Sequence, residues 1–159
     1  MWMLWTTLVV LAPLAQAHHP PPTDRGAMVM GFDQEKTAHH FLIYDDGGAI
    51  DITVKDTKET KDTKDRDAIR SHLPHITTMF GAGDFNIPML VHDAKDIPGV
   101  TVLSERKDTI TYRYRETPGG GRVEMTTTDP QALKALHAFL RYQIHEHHTG
   151  DSLTMTRRK

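Results

Sequence analysis

Phe41-Leu42-Ile43-Tyr44-Asp45-Asp46-Gly47-Gly48-Ala49-Ile50-Asp51-Ile52-Thr53-Val54 is the stretch on which the fold turns. Phe41 and Ile43, then Ile50, Ile52 and Val54, recur at every second position, which puts each set on one face of an extended chain. Asp45-Asp46-Gly47-Gly48 supplies turn chemistry between them, so the segment reads as a β-hairpin. The pattern returns further along. Ile110, Tyr112 and Tyr114 alternate with Thr111, Arg113 and Arg115, Pro118-Gly119-Gly120-Gly121 turns the chain, and Val123, Met125 and Thr127 form the way back.

Each hairpin is followed by a helical pattern. Ile69, Leu73, Ile76 and Phe80 line one face of a helix that Pro74 is expected to kink and Gly81 to close in a left-handed cap. Asp129-Pro130 opens the second helix, an N-cap acid before a first-turn proline. Leu133, Leu136, Leu140 and Ile144 carry its apolar face to about His147, and Thr149-Gly150 end it. The expected fold is α+β: a tandem ββα repeat forming a four-stranded antiparallel sheet with two helices on one face.

The remaining segments are read as connections. Residues 55–66 hold only Lys, Arg, Asp, Glu and Thr and cannot bury anything. Residues 84–99 are apolar without a helical period and are expected to cross the domain in extended form, with Val102 and Leu103 extending the strand at Ile110 or forming a separate one. Residues 18–37, rich in Pro and polar groups, are expected to be a flexible arm, 38–150 a single domain, and 151–159 a tail ending in the solvated Arg157-Arg158-Lys159.

Composition narrows the function classes. With 159 residues the chain has room for one core. Residues 1–17 are uncharged and apolar and close on Ala15-Gln16-Ala17, the small-x-small pattern of a cleavable secretory signal, too short to span a bilayer. The expected location is the periplasm or the exterior, with no stable membrane anchor after cleavage. No cysteine is present, so disulfides, thiolate metal sites and thiol nucleophiles are excluded. The net charge is −2 and the basic residues are scattered, so nucleic acid is not an expected partner.

Three stretches carry a resemblance. Met30-Gly31-Phe32-Asp33-Gln34 with His39-His40-Phe41, residues 69–80 with Gly83-Asp84-Phe85, and residues 136–144 with Thr149-Gly150-Asp151 are similar to a family of small exported, histidine-rich bacterial proteins. The likeness covers most of the chain after residue 17. It implies export and a bacterial source, and supplies no catalytic residues.

The 11 histidines are the compositional feature with chemical content. His72, His75 and Met79 occupy i, i+3 and i+7 of the first helix, and imidazole with thioether suits copper, imidazole alone copper or zinc. On the second helix His137 flanks the apolar stripe and His147 projects near its centre; with the helices side by side, His137 would approach His72. The expectation is a copper- or zinc-binding module with ligands among His72, His75, Met79, His137 and His147. Strand alternation allows only one of His39 and His40 to join them, His92 could reach the site or face water, and His18-His19 would offer a chelate at a processed N-terminus. The alternative is a non-catalytic domain binding a small ligand, haem or a protein partner, in which the histidines are structural. No nucleophile elbow, phosphate loop or His-Glu-x-x-His motif occurs.

Overall fold

The computed structural model describes residues 22–55 and 63–158; the signal-like segment, His18-His19 and the middle of the charged run, 56–62, lie outside them. The chain runs α1 (Pro22–Met30), β1 (Thr37–Tyr44), β2 (Gly47–Val54), α2 (Thr63–Gly81), α3 (Asn86–His92), α4 (Val100–Glu105), a 3-10 turn (Lys107–Thr109), β3 (Ile110–Thr117), β4 (Gly120–Thr127) and α5 (Pro130–Glu146). It is an α+β protein with one four-stranded antiparallel sheet in the order β1-β2-β4-β3. Among the described residues no helix is long and apolar enough to cross a membrane.

Register builds the core row by row. Phe41 pairs with Ile50, Ile50 with Val123 and Val123 with Tyr114, so one row of apolar side chains crosses all four strands. The next row runs Ile43, Gly48, Met125 and Tyr112. Ile69, Leu73, Ile76 and Phe80 of α2 and Leu136, Phe139, Leu140 and Ile144 of α5 join these rows in one buried cluster. Each such side chain contributes about 1.5–3 kcal/mol when fully buried, whereas an isolated hairpin is marginal. The helices therefore hold the sheet together.

Coverage is exchanged between the halves. Helix α2 packs mainly over β3 and β4, and α5 mainly over β1 and β2. Two glycines at equivalent places permit the approach: a Cβ on Gly48 would stand 2.2 Å from Leu140 Cδ1 of α5, and one on Gly121 would stand 3.0 Å from Leu73 Cδ1 of α2. A methyl group at Gly48 would displace the Leu140 side chain and press on the Leu42 carbonyl at 2.6 Å, so the strand backbone itself must give.

Several connections differ from the sequence reading. Residues 84–99 and 100–105 are not extended; they contain α3 and α4, and Val102 and Leu103 are helical. Helices of 7 and 6 residues span too few turns to display a 3.6-residue period. Pro88 falls in the first turn of α3, where its missing N–H costs nothing. Residues 22–30 are helical rather than irregular, and Met30 and Phe32 are buried. Helix α2 continues through Pro74, and the left-handed residue beyond it is Gly83 (φ 79°), not Gly81. The hairpin turns are Asp45-Asp46 and Pro118-Gly119, since the glycine pairs that follow already belong to β2 and β4. The N-cap expected at Asp129 is formed: its carboxylate accepts from Gln131 N and Ala132 N at 2.8 and 3.0 Å.

The C-terminal segment fastens the β1 edge of the sheet. Asp151 accepts from Phe41 N and pairs with His40 Nδ1, both at 2.9 Å. Thr156 bridges to Tyr44, and Arg158 donates to Asp46 while its guanidinium lies 4.4 Å over the Tyr44 ring. An otherwise open strand edge is thereby partly covered.

Candidate functional site

Strand parity puts His39 on the core face of β1 with Phe41 and Ile43, and His40 on the opposite face. Opposite His39 arrive His72 from α2, His92 from the end of α3 and His147 from the cap of α5. These four imidazoles border a cavity of about 60 Å3 under Met30, walled by apolar residues such as Ile52, Leu73, Ile76 and Phe139. Among the described residues, Gln143 is the other polar side chain in the wall, and no carboxylate lines it. A wider polar cleft with Lys55, His40 and His148 on its rim shares His39 and His147 with the cavity.

The rings are packed against one another. His39 stacks on His147 with centroids 5.4 Å apart, and His92 meets His147 edge to face at 4.9 Å. Phe41 lies 5.2 Å from the His147 ring, and Phe32 touches both His39 and His72, at 5.9 and 5.7 Å. His92 Nε2 donates to Gln143 Oε1 at 3.0 Å, which orients the ring with Nδ1 on its other side. His39 Nε2 is buried without a hydrogen-bond partner.

Burial keeps three of these rings, His39, His72 and His147, neutral. It lowers His39 to about 4, helped by His40, His72 and Lys55, and lowers His72 to about 4, helped by His75. His147 falls to about 3 through burial, then through His39, His92 and His148. At neutral pH the site thus presents unprotonated imidazoles in apolar surroundings, the form that ligates metals. Among the described residues, no three His, Asp or Glu side chains are already arranged around one point as a metal-holding group.

Of the residues singled out from sequence, His72 and His147 meet at this cavity. His75 is exposed and Met79 half-buried, and neither lines it. His137 does not approach His72. Its Nε2 donates to the carbonyls of Tyr44 and Gly47, at 2.9 and 3.1 Å, and so holds the β1–β2 turn at the far end of β1 from His39. His145 is exposed beside Glu146, and His148 is exposed with φ 49°. Sequence reading left His39 and His92 undecided and did not single out Gln143 and Met30. The parity of His39 with Phe41 and Ile43 was a usable signal; nothing in the sequence near His92 places it beside His147.

No family model matches the chain, and neither a curated protein nor a solved structure matches it.

Proposed function

We propose that this is an exported metal-binding module, for copper or zinc, whose ligands are drawn from His39, His72, His92 and His147. The observation that carries the reading is the pair of orphaned polar atoms at this cavity, Nε2 of His39 and Nε2 of Gln143. A buried polar atom without a partner costs about 1–3 kcal/mol, and native proteins seldom retain one without a use. Ring spacing supports the same reading. Two imidazoles on one tetrahedral ion, with metal–nitrogen bonds of about 2.0 Å, have centroids roughly 5 Å apart. The His39–His147 and His92–His147 pairs stand at 5.4 and 4.9 Å, so ring rotation rather than backbone movement would bring their nitrogens together. The buried cavity is ion-sized: 60 Å3 holds a few waters, well short of the roughly 300–1,000 Å3 that organic ligands occupy, although the polar cleft that adjoins it at His39 and His147 is wider, about 420 Å3.

The fold itself reads as a tandem ββα repeat with both helices on one face of the sheet. Thr37 to Ile110 and Gly47 to Gly120 are equal separations, all four strands have 8 residues, and Gly48 and Gly121 receive one helix each. Export to the periplasm or beyond, and kinship with the small exported bacterial proteins, rest on the residues quoted at the outset.

The test is titration of tag-free metal-free protein with Zn(II), Cu(II) and, anaerobically, Cu(I). We expect one equivalent bound with a Kd below about 1 μM. The H39Q/H147Q double variant should lose it, and the H75Q/H148Q variant of exposed histidines should keep it. Binding that survives H39Q/H147Q, or no binding stronger than micromolar, overturns the proposal.

A further inference from the structure

We infer that the ion is soft and monovalent, Cu(I) in preference to Zn(II), an inference that rests on the metal-binding reading of the same cavity. Every donor that borders it is neutral: four imidazoles, the amide of Gln143 and the thioether of Met30. The rest of the wall is hydrocarbon, and among the described residues no Asp or Glu lines it. The chain has no thiolate to offer.

Charge decides between the two metals. The cost of moving an ion out of water grows with the square of its charge, so a divalent ion incurs about four times the penalty of a monovalent one of similar size. A neutral ligand set returns none of it through ion pairing. Three-imidazole zinc sites offset this with a bound hydroxide as the anionic fourth ligand, in a cavity polar enough to hold it. Here the oxygen of Gln143 is engaged with His92, and its buried Nε2 is the one non-imidazole polar donor among the lining residues, too little to hold such a hydroxide. Zinc also favours four ligands in a tetrahedron. Cu(I) is satisfied by two or three, which suits a site where rings meet in pairs, His39 with His147 and His147 with His92.

Met30 supplies the second argument. It is 9 % exposed, ends α1, and forms part of the wall shared with all four imidazoles. A thioether adds nothing for zinc but is a favoured ligand for Cu(I).

The full chain, reduced and anaerobic, is titrated with Cu(I) against bicinchoninate, with Ag(I) as a redox-silent monovalent probe, and with Zn(II) against a chromophoric chelator. Cu(I) should bind at least about 100-fold more tightly than Zn(II), and Ag(I) should compete for the same site. M30L, which preserves the volume of the wall, should weaken Cu(I) by about 10-fold or more and leave Zn(II) within about two-fold. X-ray absorption of the wild-type Cu(I) adduct should show a sulfur neighbour, a readout independent of any variant. Zinc bound as tightly as Cu(I), or a copper adduct with nitrogen neighbours only, overturns this inference and leaves the metal-binding proposal standing. Failure of all three ions to bind overturns both.

Discussion

His92 and His147 meet edge to face, their ring centroids 4.9 Å apart at 88°, in a wall where neither has a carboxylate to balance a proton. Such an arrangement favours ligation over stability. Replacing His147 with Phe fills the same space beside Phe41 with an apolar ring. We expect H147F to gain roughly 1 kcal/mol of unfolding free energy at pH 6 in urea titrations while losing high-affinity metal. A destabilised variant that still binds metal would count against the assigned role.

Acid should unfold the metal-free protein through the same rings. Unfolded imidazoles titrate near 6.5, whereas His39 and His72 are lowered to about 4 and His147 to about 3. Below 6.5 the unfolded chain therefore binds more protons than the native one. Stability is fully present above pH 6.5 and declines as pH falls towards 3–4, where the native rings accept protons. The charged or titratable neighbours, Lys55, His40, His75, His92 and His148, all push these three rings in the same direction. We expect a loss on the order of 7 kcal/mol between pH 7.5 and 4.5 by urea unfolding, approaching the whole stability of a domain this size, with about a third of it remaining in H39Q/H147Q. An equally steep profile in the double variant would place the acid sensitivity elsewhere.

His137 should separate structure from ligation. H137L leaves the Tyr44 and Gly47 carbonyls without the donor that joins them, a cost of about 1–3 kcal/mol. Thermal unfolding should register that cost, and Cu(I) competition should show wild-type affinity. If H137L abolished binding in folded protein, the distance of His137 from the cavity would need another explanation.

The close approach at Gly48 gives a third check on the core. G48A drives a methyl group to 2.2 Å from Leu140 Cδ1 and 2.6 Å from the Leu42 carbonyl. Denaturant midpoints should fall by the equivalent of about 1–3 kcal/mol. A neutral substitution would mean that α5 sits higher over β2 than described.

The hairpins and the two long helices were legible because their periods are sustained: four 8-residue strands and helices of 19 and 17 residues. Phe41 and Ile43 alternate because one face is buried, and that same alternation assigns His39 to the core. Helices α3 and α4 were not legible, since each makes fewer than two or three turns and is held by one or two anchors such as Val91 and Leu103. The site was half visible. His72 and His147 lie on periodic faces, but His92 ends a short helix whose existence depends on contacts distant in sequence. His137 shows the converse: an imidazole on an apolar helix flank proved to serve a backbone turn.

Because α5 is the principal cover for Phe41 and Ile43, the N-terminal hairpin has no finished interior until the last helix has been made. A nascent chain therefore cannot lock its first half as it emerges, and its strands stay exposed until residues 130–146 arrive from the far end of the sequence. A polypeptide with that schedule remains threadable for as long as it is incomplete, a condition that the export proposed above would require.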